Sequence, residues 1–342
     1  MTNPPFDPWW LFRADYRVFV LAVQQWLSGG NPYGDLGGRF TAGAFAYPPT
    51  FLTWATPFAA LGPHGYWLWT ALNLVGWAWV MRRAGWNQWP LLIWAPIFLH
   101  LWIGQCTLTV VLVLWAAYLE RAARATGTPW RSLAWGLALA WCATKPQTAF
   151  LPMLGLLWDE RRAPQRWALW AGLLGGTLLL ALPPTLRHPA IWSEWLIGMR
   201  AYSTRQLVSA AWQGPSLVAY AAATVVWWQS TRNRVLPHGN WRWWITATAF
   251  PQTTFYSMVA LLPVMDVRRN RWHLAGLLLS ALMQVQTPLT PLPWILALQA
   301  LAGWLVAGGP LSQTASHEIA PPEDGTPELR SPFAKRRGLT SS

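Results

Sequence analysis

The chain has 342 residues, of which 54% are apolar and only 11% charged, with a formal net charge of +13. Soluble domains carry about 25% charged residues, so the composition argues against a soluble globular domain. The excess of base does not point to nucleic acid, because the arginines lie in short loops between apolar segments, the positive-inside pattern of a membrane protein.

Residues 40–81 and 84–119 hold no Asp, Glu, Lys or Arg. Such intervals suit bilayer spans, which need roughly 20 apolar residues. Many of the 30 tryptophans fall near segment ends, where a half-wet indole sits at headgroup level; core packing accounts for others. The first 14 residues lack the basic start and long apolar run of a signal peptide.

In chain order, residues 1–43 are mixed and polar, with a helical stretch from Tyr16 to Leu27 that Gly29-Gly30-Asn31-Pro32-Tyr33 breaks. Apolar segments follow at 44–62, 65–81, 90–104, 105–119, 132–158, 167–184, 207–229, 243–266, 272–287 and 292–308. Residues 309–342 are rich in Pro, Ser, Thr and charge, and read as a disordered tail. Basic clusters at Arg121/Arg124/Arg131, Arg161/Arg162/Arg166, Arg232/Arg234/Arg242 and Arg268/Arg269/Arg271 place those loops, and the tail, in the cytoplasm. The segment 167–184 then leads to an outer loop at 185–206.

Two segments, 132–158 and 243–266, begin and end on the cytoplasmic side, so each is expected to be a hairpin of two short helices. Arms of about 12 residues reach about 18 Å, short of a hydrocarbon core of about 30 Å. The polar tips, Thr144-Lys145-Pro146-Gln147 and Phe250-Pro251-Gln252-Thr253-Thr254, then lie below the outer surface, where irregular backbone is tolerated only against a cavity or other protein. Gly104-Gln105 reads as a third such break. Four apolar segments between residues 44 and 121 give the wrong parity if the N-terminal region is outside. One of them must be re-entrant or two must form a single crossing, and Arg82 and Arg83 favour an inside loop.

The 12 acidic residues permit elimination. Glu120, Asp159, Glu160 and Asp266 flank basic clusters, and Glu318, Glu323, Asp324 and Glu328 lie in the tail. Asp7, Asp15, Asp35 and Glu194 remain on the outer side, so a carboxylate base there comes from these four. Lys145 is the one lysine before the tail, and an ionisable group in an apolar stretch is a functional hypothesis by default. Its natural partner is an anion such as a lipid phosphate; the alternative is a side chain snorkelling to the interface. Cys106 and Cys142 lack zinc or disulfide spacing. The six histidines show no metal-ligand spacing and read as loop or interfacial residues. Phosphate-loop, nucleophile-elbow and zinc-protease motifs are absent.

Four sequence blocks in order resemble glycosyltransferase family 87, the polyprenyl-phosphate-mannose-dependent mannosyltransferases of the GT-C fold. The first is Asp15-Tyr16, Gly30-Asn31-Pro32-Tyr33, Phe45-Ala46-Tyr47-Pro48-Pro49 and Pro57. The second is Gly104-Gln105 followed by Ala143-Thr144-Lys145-Pro146-Gln147. The third is Gln213-Gly214-Pro215-Ser216-Leu217, and the fourth Phe250-Pro251-Gln252 running into Phe255-Tyr256. The resemblance spans roughly residues 13–305.

It implies an all-α, polytopic, GT-C-like helical bundle over residues 1–308, with short re-entrant or hairpin helices and outer amphipathic helices, followed by a cytoplasmic tail at 309–342. It further implies a multi-pass plasma-membrane enzyme with its active site on the outer face. That enzyme transfers a sugar, mannose by analogy, from a polyprenyl-phosphate donor to an envelope glycan or glycolipid acceptor, with inversion. By the family pattern Asp15 is the base; Lys145, Arg200 and Arg205 bind the donor phosphate; and Gln105, Gln147, Gln213, Gln252 and Tyr256 bind sugar or acceptor. No cofactor and no metal site are expected, and the partners are membrane lipids, donor and acceptor rather than nucleic acid. Two features depart from the pattern. Only 14 residues precede Asp15, too few for the transmembrane helix that members carry there, and Tyr256-Ser257 stand where members often hold a histidine. A lipid or solute transporter, with Lys145 and the hairpins forming its binding site, and an inactive family member are the competing expectations.

Overall fold

A computed structural model of the chain describes residues 12–84, 94–205 and 255–264, apart from positions 39, 41–42, 122–123 and 125–126, together with 242–243 and 246–247. The described residues are helical, with no strand beyond one isolated bridge between Leu36 and Phe40. The all-α expectation therefore holds. The α-helices among the described residues are α1 (Ala14–Leu27), α2 (Thr50–Ala60), α3 (Pro63–Ala84), α4 (Ala95–Ile103), α5 (Thr107–Leu119), α6 (Pro129–Cys142), α7 (Pro146–Asp159), α8 (Arg166–Arg187) and α9 (Ile191–Arg205). A 3₁₀ helix covers Phe255–Val264.

Proline sets several starts. α4, α6 and α7 each carry Pro in their first positions, where the missing N–H removes a donor that would have no partner and the fixed φ suits a helix. Gly104 ends α4 with φ +74, the left-handed geometry of a helix C-terminus. The chain then bends by 119° into α5. The expected break at Gly104-Gln105 is present and is sharp.

The ion pairs define one end of the bundle. Glu120, at the end of α5, bonds Arg83 at the end of α3 and Arg131 in the first turn of α6. Arg124 binds Glu160, just past α7, in a pair buried on both sides. Arg121 and Arg242 bind Asp159. The starts and ends of the 129–159 unit therefore lie together at this lower end, which makes α6 and α7 the expected hairpin, with 14-residue arms, about 21 Å each. Its tip, Ala143-Thr144-Lys145, lies at the upper end beside Gln105.

In the first half of the chain α3 ends just past Arg83, and the nine-residue α4 meets α5 at the bend, from which α5 runs to Glu120. The helical part of segment 44–62 is α2. It stays among upper-end elements: Phe58 O and Gly62 O both accept from Tyr16 of α1, and Thr53 Oγ1 donates to Leu180 O in the upper half of α8. Segments 207–229, 272–287 and 292–308, the tail, and the second tip at 250–254 lie outside the described residues. The outer loop expected at 185–206 contains helix α9.

Two packing features fix the depth of the tip. α6 and α8 cross at glycines: a Cβ on Gly136 would strike the backbone of Leu169, one on Gly172 the backbone of Leu133, and one on Gly176 would stand 2.7 Å from Ala140 Cβ. Gly136/Ala140 and Gly172/Gly176 are two facing pairs spaced by four, the small-residue crossing that lets helix backbones approach closely. α6 ends two residues beyond Ala140, whereas α8 runs eleven beyond Gly176, about 14 Å further. The tip is therefore recessed, and α1, α2 and α9 lie above it.

Among the described residues α8 alone is both long and apolar enough to cross a bilayer. The bent pair Pro96–Ile103 and Thr107–Leu119 qualifies only as a unit.

Candidate functional site

Three sequence-predicted residues from separate blocks meet at the upper end. Gln105 Nε2 donates to Asp15 Oδ2 at 2.5 Å, and Gln105 Oε1 accepts from Lys145 Nζ at 2.8 Å. Oε1 also accepts from the Tyr47 hydroxyl at 2.7 Å and from the Cys106 backbone N–H at 2.8 Å. With three donors converging on one atom, the amide orientation is fixed: the reverse placement would set an NH₂ among donors.

Lys145 is 5% exposed, so it does not snorkel. Its ammonium bonds Gln105, Thr107 Oγ1 at 2.5 Å and the Tyr47 hydroxyl at 3.3 Å, and lies 5.3 Å from the Tyr47 ring centroid. All three acceptors are neutral. A buried cation with neutral ligands is costly until an anion joins it, and the helix ends add to the same field. Lys145 caps α7, Thr107 opens α5 and Asp15 sits in the first turn of α1, so three helix N-termini, each carrying partial positive charge, face this point.

Asp15 is half-buried in the first turn of α1. Burial raises its carboxyl from 3.8 to about 6, against the lowering effects of the Lys145 charge and the Gln105 hydrogen bond. It is thus ionised at neutral pH, yet basic enough to take a proton.

Gly104 makes the meeting possible. Its φ of +74 favours glycine, and a Cβ there would lie 2.6 Å from Tyr16 Cβ, so α1 rests directly on the break that delivers Gln105. The roof is built by the loop before α2. Tyr33 donates to Tyr47 O at 3.1 Å, and Trp195 of α9 reaches Ala46 O at 3.3 Å. Tyr202 of α9 is raised by burial and by the Asp15 charge, which sets it near the carboxylate.

The other predicted residues divide. Gln147 is half-buried in the first turn of α7, and Arg200 is exposed on α9. Arg205 closes α9 and Tyr256 lies in the 3₁₀ helix, but their side chains are outside the description, as are Gln213 and Gln252 altogether. Tyr47, Thr107 and Tyr202 were not among the expected site residues. Tyr47 lies within Phe45-Ala46-Tyr47-Pro48-Pro49, whereas Thr107 and Tyr202 carry no sequence signal. The loop or interfacial expectation fails for His100, which is fully buried in α4 with Nδ1 2.6 Å from Pro96 O. Among the described residues no group of His, Cys, Asp and Glu could hold a metal ion.

Comparison with family models, with curated proteins and with solved structures finds no match to this chain.

Proposed function

We propose that the chain is a multi-pass membrane glycosyltransferase. It moves a sugar, mannose by the family resemblance, from a polyprenyl-phosphate donor to an envelope glycan or glycolipid on the outer face. The observation that carries this reading is the convergence of Asp15, Gln105 and Lys145, which pairs a candidate base with a buried cation across a single amide.

The membrane setting has its own support. α8 exposes Leu174, Leu178, Leu179, Leu182 and Leu186, and α3 exposes Leu72 and Val75, an apolar surface larger than a soluble monomer usually shows. Trp130, Trp158 and Trp167 are more than 60% exposed at the lower end, with Arg161 and Arg166 over two of the rings at 4.3 and 5.2 Å. Such a band fits an interface belt on the cytoplasmic side.

In this reading Asp15 takes the proton of an acceptor hydroxyl as that oxygen attacks the anomeric carbon. The bond to the phosphate breaks on the opposite face, and the lipid phosphate leaves with the electron pair, which inverts the configuration. Lys145 and the N-termini of α5 and α7 stabilise the charge that grows on the phosphate. Gln105 keeps Asp15 and Lys145 from collapsing into a direct ion pair, so each stays available to its own partner. Arg200 and Arg205 are assigned to the donor phosphate, and Gln147, Gln213, Gln252 and Tyr256 to sugar or acceptor. The tail at 309–342 is cytoplasmic.

The test is transfer of labelled mannose from polyprenyl-phosphate mannose to an envelope glycolipid extract by the purified full chain. Transfer from this donor, and none from a nucleotide sugar, is expected. A chain that moves no sugar from any polyprenyl phosphate is not this enzyme.

A further inference from the structure

α1 has a second functional face. Arg13, Arg17, Val20, Leu21 and Gln24 recur at helical spacing on the side away from Val18, Phe19, Ala22 and Val23, which are buried. This outer face lines a cavity of about 590 Å³ closed by Phe40 and the Gly62-Pro63 turn, within the range of about 300–1,000 Å³ typical of ligand sites.

The cavity is cationic, and no carboxylate lines it among the described residues. Neither Arg13 nor Arg17 pairs with a carboxylate among the described residues. The two lie four apart on one helix face, where like charges repel. Arg13 is held in place: its guanidinium carbon sits 4.6, 4.7 and 5.0 Å from the ring centroids of Phe12, Tyr66 and Trp67. Its Nε is buried with no hydrogen-bond partner among the described residues. A guanidinium stacked on aromatic faces keeps its edge N–H groups for a planar or tetrahedral oxyanion. Arg17 is exposed at the mouth and adds the second charge.

The rim indicates what carries the anion. Leu61 and Trp67 are 47% and 53% exposed beside the Gly62-Pro63 turn, and Val20, Leu21 and Phe40 supply apolar walls. A cationic floor with an apolar rim suits an amphiphile better than a free ion.

We propose that this face of α1 binds the headgroup of an anionic phospholipid, with Arg13 and Arg17 contacting the phosphate. The proposal is independent of the transferase reading, since it concerns binding at a cavity that Asp15 does not line.

The experiment is titration of the full chain in neutral detergent with phosphatidylglycerol, phosphatidylcholine and inorganic phosphate, read by thermal shift and by native mass spectrometry of the bound lipid. Phosphatidylglycerol is expected to raise the melting temperature of the wild type and to remain bound. Arg17→Gln, an exposed position, is expected to weaken that binding by about tenfold or more, the scale of a lost charge-assisted contact. Asp15→Asn is expected to leave it unchanged. Equal retention of phosphatidylglycerol by wild type and Arg17→Gln, or of phosphatidylcholine and phosphatidylglycerol by wild type, overturns the site. Inorganic phosphate binding as tightly as phosphatidylglycerol overturns its assignment to a lipid.

Discussion

Asp15 and Lys145 face each other across the amide of Gln105, which donates to the carboxylate and accepts from the ammonium. The two charges are neighbours without touching. This arrangement gives the cluster a chemical division of labour, and each part of it can be tested.

The first consequence concerns pH. Burial holds the Asp15 carboxyl at about 6, and a base works only when ionised. Sugar transfer should therefore rise with pH through about 6 and level off above 7. The same shift acts on stability with the opposite sign. A carboxyl raised from 3.8 to about 6 favours the fold fully below about pH 4, and that contribution is lost as pH rises through about 6. Asp15→Asn should thus be strongly slowed in transfer yet melt higher than the wild type at pH 8. A pH series of melting curves checks this, and a lower melting temperature for Asp15→Asn at pH 8 would count against it.

Gly104 is the second place to probe. Gly104→Ala puts a Cβ 2.6 Å from Tyr16 Cβ on a backbone with φ +74. The left-handed conformation alone costs about 1–2 kcal/mol for a residue with a side chain, and relieving the contact moves α1 or the break. Both activity and stability should fall, with a loss of about 2 kcal/mol or more by denaturant titration. A fully active, fully stable Gly104→Ala would show that the position of Gln105 is not critical.

The α6–α8 crossing carries a structural prediction. Gly172→Leu cannot be accommodated, because even a Cβ meets the backbone of Leu133. The helices must part and the Lys145 tip loses its depth. A loss of about 3 kcal/mol, the upper part of the overpacking range, is expected, while Gly175→Leu, where a Cβ meets nothing within 4 Å, should be close to neutral. Comparing the two melting temperatures separates the crossing from a general effect of leucine on α8.

At the opposite end, Glu160→Ala leaves Arg124 buried with one partner fewer. Arg124 Nε donates to Glu160 at 3.1 Å, and both side chains are nearly inaccessible. Removing one member of a buried pair costs about 3–5 kcal/mol. Glu120 behaves differently with pH. Burial raises its carboxyl, but Arg83 and Arg131 outweigh that and hold it below its usual 4.5. Its contribution is present above about 4.5 and is lost as pH falls through the depressed value, so acid should unfold the lower end first. Hydrogen exchange at Ala116 and Ala117 follows it.

Much of this was legible in sequence because the signals are local. The polar tip at Thr144-Lys145-Pro146-Gln147, the Gly104-Gln105 break and the arginine clusters at 121–131 and 161–166 each interrupt apolar periodicity, and the structure places a helix boundary or ion pair at each. Lys145 stood out as the one lysine before the tail; elimination narrowed the outer carboxylates to Asp7, Asp15, Asp35 and Glu194, and the family resemblance singled out Asp15. Their meeting through Gln105 was not legible, since no local signal says which break faces which. The same holds for Thr107 and Tyr202. The glycine crossing escaped because Gly136/Ala140 and Gly172/Gly176 are ordinary in composition, and their meaning lies in the partner helix. α2 resembled a span in hydropathy but packs on α1 and α8 at the upper end, because aromatic contacts such as Phe19–Phe51 at 4.8 Å and Trp54–Trp141 at 5.1 Å give its apolar face a protein surface to cover.

The central claim is that Asp15 and Lys145 serve one reaction on a phosphate-linked sugar. The most direct measurement is the rate of mannose transfer from polyprenyl-phosphate mannose by the wild type, Asp15→Asn, Lys145→Met and the double variant. Each single substitution should lower the rate by about 10²–10³-fold, the scale seen when one charge-stabilising or proton-accepting group is lost. The double variant should be little worse than either, as for groups that act as a unit. Singles that keep the wild-type rate would contradict the account.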